Sequence, residues 1–195
     1  MKSVLTSIRP QYCELIASGK KTVEVRKSRP KLETPFKCHI YCTKGNQYFF
    51  HSNALMVPYR YVDDHSHNMW DKPLNGKVIG DYVCDQIKKH SYDDFIGAVN
   101  ADGSERTEAI QGEGTYWFWE NERKKTCLSQ DEIFKYGGTK PLYAWHISAL
   151  QIYDKPRKLS EFHKPIMPMG LRYEDDAIKR PPQSWAYVEE YDGRR

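Results

Sequence analysis

The alternation of apolar and polar residues divides this chain into short strands, with brief helical stretches marked off by proline, serine and glycine. Residues 2 to 8 predict a first strand. From Pro10 the period lengthens, so that Tyr12, Leu15 and Ile16 share one face of a helix over residues 10 to 18. Proline suits the first helical position, where its missing N–H costs nothing, and Gly19 supplies the left-handed residue that ends such a helix. From Thr22 the period becomes two. Val23 and Val25 then point one way, and Thr22, Glu24 and Arg26 the other.

Phe36 to Thr43 reads as a strand with Cys38, Ile40 and Cys42 on one face, opposite Lys37, His39 and Tyr41. Lys77 to Ile87 is a further strand, with Ile79, Asp81, Val83 and Asp85 aligned and a glycine at position 80 that allows a neighbouring backbone to come close. In Thr115 to Glu120 the alternation separates Trp117 and Trp119 from Tyr116 and Phe118. Ser129 is a good N-cap for a short helix over residues 130 to 136, stopped by Gly137 and Gly138. Leu142 to Tyr153 is the closing strand, with Trp145 and Ile147 opposite Ala144 and His146.

Between these elements, residues 29 to 35 form a proline-rich, charged connection, and residues 52 to 76 a long excursion without sustained period. Beyond residue 155 the chain is rich in proline and charge, with too few periodic apolar residues for a core of its own. Leu159, Phe162, Ile166, Trp185 and Tyr187 are the expected anchors of this extension, and residues 192 to 195 its frayed end. The expectation is one α+β domain over residues 1 to 155, a mixed β-barrel with short flanking helices, and a C-terminal extension over 156 to 195 packed on it.

Composition narrows the function more than the fold. Thirty basic and 26 acidic residues give a formal charge of +4, which permits nucleic acid without demanding it. No apolar run approaches a membrane span and the N-terminus lacks the pattern of a secretory signal, so a cytoplasmic location is expected. Five cysteines at irregular spacing fit free thiols in a reducing compartment rather than a disulfide framework. Cys38 and Cys42 with His39 between them suggest zinc. However, two residues four apart on a strand stand about 13 Å apart and cannot share a tetrahedral ion, so no metal and no cofactor is expected.

The candidate chemistry gathers on Gly19 to Arg26. Lys21 stands at the mouth of the face that carries Glu24 and Arg26, with basic residues at 20, 27, 29 and 31 adding a positive field. Charges so spaced on a half-exposed strand also form ordinary surface ion pairs. Aromatic residues next to Arg123, Lys124 and Lys125 have the composition of single-strand sites, in which rings stack on bases, and equally that of a core beside a solvated face.

The string Gly19, Lys21, Glu24, Arg26, preceded by Ser7-Ile8-Arg9-Pro10 and a short helix, resembles the signature of the ASCH domain of the PUA-like superfamily. The likeness extends to Gly76–Cys84 and Tyr143–Ile147. It implies a PUA-like barrel and a cleft beside Lys21, Glu24 and Arg26 for RNA, single-stranded nucleic acid or a nucleotide-like ligand. Arg26 and Lys21 would contact phosphate, Glu24 would accept from a base amino group or orient Arg26, Arg9 and Lys27 would flank the cleft, and Trp117 or Trp145 would stack. The alternative is a small hydrolase. Some ASCH-like proteins are amidohydrolases on N4-acylated cytidine, using the motif's lysine, a threonine and a later acidic residue, and others are reported to cleave RNA. Here the threonine position is Glu24, so the corresponding catalytic set is Lys21, Glu24 as base on water, and Asp81, expected in the same cavity as Lys21.

Overall fold

The computed structural model describes residues 2–45, 73–91, 115–166 and 176–189. Strand β1 (Lys2–Ile8) lies inside a five-stranded sheet, parallel to β3 (Phe36–Cys42) on one side and antiparallel to β8 (Trp185–Glu189) on the other. The sheet continues from β3 to β4 (Lys77–Cys84) and β7 (Ser148–Lys158), giving the order β7-β4-β3-β1-β8. A second sheet has the order β2-β6-β5, formed by Val23–Arg26, Leu142–His146 and Ile87–His90. With helices α1 (Pro10–Ala17), α2 (Thr115–Thr126) and α3 (Gln130–Gly137), the fold class is mixed α+β.

Local chemistry explains the helix limits. Pro10 opens α1 and Gly19 follows it at φ +73°. At α3, the Ser129 hydroxyl accepts from the Glu132 backbone N–H at 3.2 Å while Glu132 Oε2 accepts from the Ser129 N–H at 2.8 Å, a reciprocal cap. The inward face of β3, with Phe36, Cys38, Ile40 and Cys42, joins Cys13 and Ile16 of α1, Tyr82 of β4 and Trp145 of β6 in the main core. Its other face, through Tyr41, meets Leu5, Val78, Phe162 and Val188. Cys13, Cys38, Cys42 and Cys84 are buried free thiols; burial raises Cys13 and Cys38 and pushes Cys84 up to about 12, so these three pack rather than react.

Three expectations change. Residues 115–126 are helical, because a short aromatic run fits either period, whereas the longer polar continuation through Glu120–Thr126 suits a helix. The closing strand breaks at Ile147, with β6 in the small sheet and β7 in the large one; Ala149 turns the chain at φ +44°. In β4, register shifts beside Ile79 place that residue with Tyr82 and Cys84 in the main core, so alternation fails to carry Asp81 to the same side. The 52–76 excursion lies mostly outside the described residues. None of the described helices is long and apolar enough to cross a membrane.

Candidate functional site

Four basic and two acidic side chains line a cleft of about 590 Å³ between β2, α1, α3 and the segment before β8. Its floor is the charged face of β2. Lys21, Glu24 and Arg26 are 2%, 8% and 6% exposed, which makes them an internal charge cluster and not the surface pair that spacing alone allows. Glu24 is clamped from both sides: Lys21 Nζ lies 3.4 Å from Oε2 and Arg26 Nη2 lies 3.1 Å from Oε1.

Buried charges need further partners, and both cations have them. Lys21 donates to the Val23 carbonyl at 2.9 Å and to the Thr126 carbonyl at the end of α2 at 2.7 Å, where a cation meets the negative end of the helix. These two hydrogen bonds and the ion pair with Glu24 engage the ammonium group on three sides. Arg26 donates through Nη2 to the Ser7 carbonyl at 2.9 Å, and through Nη1 to the Ser184 carbonyl and hydroxyl at 3.2 and 3.3 Å. Its Nε is buried without a partner among the described residues.

The walls are aromatic and the rim is basic. Tyr12 of α1 and Tyr136 of α3 line the cleft, as do the exposed Arg9 and Lys135. The Tyr12 hydroxyl donates to Glu132 at 3.4 Å, and burial, followed by the Glu132 charge, raises its pKa. Glu132 is held below the ordinary carboxylate range, first by the Ser129 backbone N–H of the α3 cap. Lys27 is exposed and places Nζ 4.9 Å from the Tyr136 ring centroid, a cation over an aromatic face.

Asp81 and Trp145 do not line this cleft. Asp81 accepts from the Tyr153 hydroxyl at 2.5 Å, on the side of the sheet where His39 contacts Tyr153 at 3.4 Å and Ser3 at 3.2 Å. Trp145 is fully buried, 6.0 Å from the rings of both Phe36 and Trp185, so it supports the core and not a stacked ligand. Trp117 is on α2, but its side chain is outside the described part. Among the described residues no group of three or more His, Cys, Asp or Glu is arranged to hold a metal.

Sequence reasoning missed the α3 contribution and the Gln183–Ser184 wall. Glu132, Lys135 and Tyr136 fall at i, i+3 and i+4 on one stripe of α3, a signal available in the sequence. Nothing local marks Gln183 and Ser184, which reach the cleft through long-range pairing alone.

No family model and no curated protein matches the chain. Among solved structures it resembles the crystal structure of ASCH from Zymomonas mobilis, with a TM-score of 0.54 at 18% identity over 96% of this chain and 88% of that one. The chain has the ASCH fold. Two variants of the Zymomonas mobilis protein agree. A tyrosine-to-phenylalanine variant gives a TM-score of 0.54 at 18% identity over 97% and 92% of the two chains, and a serine-to-alanine variant gives 0.53 at 17% over 96% and 89%. Within this ASCH fold, the charged cluster is built from residues that carry the sequence signature, and the cleft above it adds α3 and the Gln183–Ser184 segment.

Proposed function

We propose that the cleft of this ASCH-fold protein binds a nucleotide, free or within a single-stranded RNA. The observation that carries this reading is the combination of an acceptor floor, two tyrosine walls and a basic rim in one cavity of about 590 Å³. That volume is within the range of small-molecule sites. Tyr12 and Tyr136 offer faces for a base, Glu24 accepts from its polar edge, and Arg9 and Lys135 attract its phosphate. Lys21 and Arg26 hold Glu24 in place rather than reach for phosphate, since their contacts are within the protein.

The same contacts favour binding over hydrolysis. A hydrolytic step with Lys21 stabilising an oxyanion needs a donor aimed at substrate, and Lys21 donates to the Val23 and Thr126 carbonyls and is ion-paired with Glu24. The reading is tested by calorimetric titration of nucleoside monophosphates and a short fluorescent single strand against wild type and an Arg9→Ala/Lys135→Ala variant. Both replaced residues are exposed, so folding should be unchanged. Affinity should fall at least tenfold in the variant, with weaker salt dependence. Absence of binding to the wild type, or equal binding by both proteins, refutes the assignment.

A further inference from the structure

We infer that the base seated against Glu24 is guanine. This rests on the nucleotide reading above and deepens it by asking what the floor still offers. Lys21 makes three contacts inside the protein, and both terminal nitrogens of Arg26 are engaged. Apart from Arg26 Nε, which is buried without a partner among the described residues, the open capacity of the floor belongs to Glu24. An ionised carboxylate has about four lone-pair positions on its two oxygens. Lys21 stands 3.4 Å from Oε2 and Arg26 3.1 Å from Oε1 as ion-pair contacts, each blocking at most one position, so each oxygen keeps at least one. Two neighbouring acceptors are complementary to two parallel N–H donors.

Among the four RNA bases only guanine has such an edge, with N1–H beside the 2-amino group. Cytosine and adenine present one amino group flanked by a ring nitrogen whose lone pair would face the second carboxylate oxygen. Uracil presents a single N–H between two carbonyl oxygens. The clamp strengthens the selection, because Glu24 is held by two side chains and by burial, and it cannot turn to greet a different edge. A buried acceptor left facing another acceptor is disfavoured, which is how polar sites discriminate strongly. With the base inward, the phosphate lies toward the mouth, at Arg9 and Lys135.

The test is a panel measured on the unaltered protein: GMP, IMP, AMP, CMP and UMP by isothermal calorimetry, with guanosine as the phosphate-free control. IMP retains N1–H and lacks only the 2-amino group. We expect GMP to bind tightest, IMP about tenfold more weakly, and the other three at least tenfold below GMP, in line with the discrimination of a bidentate contact. Guanosine should bind more weakly than GMP and with less salt dependence. A Glu24→Gln variant that retains cooperative unfolding should lose the preference, because its amide replaces one acceptor by a donor. Single strands carrying one variable base among uridines distinguish a free nucleotide from a residue of RNA and should give the same order. Equal affinity for all five nucleotides overturns the guanine assignment while leaving nucleotide binding intact. Failure of every nucleotide and every strand to bind overturns both.

Discussion

The guanidinium of Arg26 donates to the backbone carbonyl of Ser184 at 3.2 Å, across 158 positions of sequence. The second terminal nitrogen of the same group reaches the Ser7 carbonyl and Glu24. Serine 7 in turn donates its backbone N–H to Ser184 at 2.9 Å and its hydroxyl to Pro182 at 2.6 Å. One planar side chain thus joins the small sheet, the end of β1 and the entry to β8. Arg26→Lys replaces a fork by a point charge that cannot serve all three directions. We expect a loss of about 2 to 4 kcal/mol in urea denaturation, in the range for breaking buried charge networks. Ser184→Ala should cost less than about 1 kcal/mol, since the carbonyl contact survives. Equal losses would show that the hydroxyl, not the guanidinium fork, holds this junction.

Lys21 is a buried cation on which the end of α2 and the start of β2 converge. Lys21→Ala leaves Glu24 with one cation and two carbonyls without their donor. The expected destabilisation is about 3 kcal/mol, with α2 loosened first. Hydrogen exchange resolves this: amides near residues 124–126 should exchange faster than those of β3. Uniform exchange across both regions contradicts the anchoring role.

Tyr136 is 36% exposed and forms a wall of the cleft. If a base stacks there, Tyr136→Ala should weaken nucleotide binding by about tenfold or more, whereas Tyr136→Phe, which keeps the ring, should bind nearly as wild type. Calorimetry separates the two. A loss in both variants would assign the hydroxyl rather than the ring.

Burial lowers the pKa of His39 to about 4, against the opposing attraction of Asp81; Lys37 and Arg157 add smaller shifts in the lowering direction. The unfolded chain, with an ordinary histidine near 6.5, binds the proton first as pH falls. The stability that His39 contributes is therefore complete above about pH 6.5 and is lost as pH falls through about 4. Denaturation midpoints measured between these values should decline in wild type and decline less in His39→Gln. Parallel slopes would remove His39 as the source.

At Gly80 a Cβ would run into the backbone carbonyl of Gln151 on β7, with Ile152 Cα only 3.1 Å away. Backbone cannot yield as a side-chain tip can, so Gly80→Ala should cost about 1 to 3 kcal/mol. Gly45→Ala, which meets nothing within 4 Å among the described residues, is the control. Thermal melts showing no difference between them would mean that β4 and β7 separate easily.

Much of the scaffold could be read from local signals because local chemistry produces it. Pro10 and Gly19 bound α1, Ser129 caps α3, and alternation places Cys38, Ile40 and Cys42 inward. The identity of the floor residues was legible through the ASCH signature; their burial was not, because it depends on α2 and on residues 182–184 packing over them. Asp81 was misplaced by an irregularity in β4 that alternation cannot foresee. Trp145 had the right composition for stacking, but the core claims most large aromatics, and here Phe36 and Trp185 enclose it.

The partnership of β1 with β8 sets an order of events during synthesis. Lys2 pairs with Glu189 and Thr6 with Trp185, so one edge of β1 waits unpaired while the intervening chain emerges. Arg26 waits with it, since Ser184 arrives at the same late moment. Contacts this distant in sequence are slow to form, and an open strand edge invites wrong partners in the interval. A nascent chain therefore carries its signature residues early yet has no finished cleft until Gln183, Ser184 and the strand up to Glu189 have emerged.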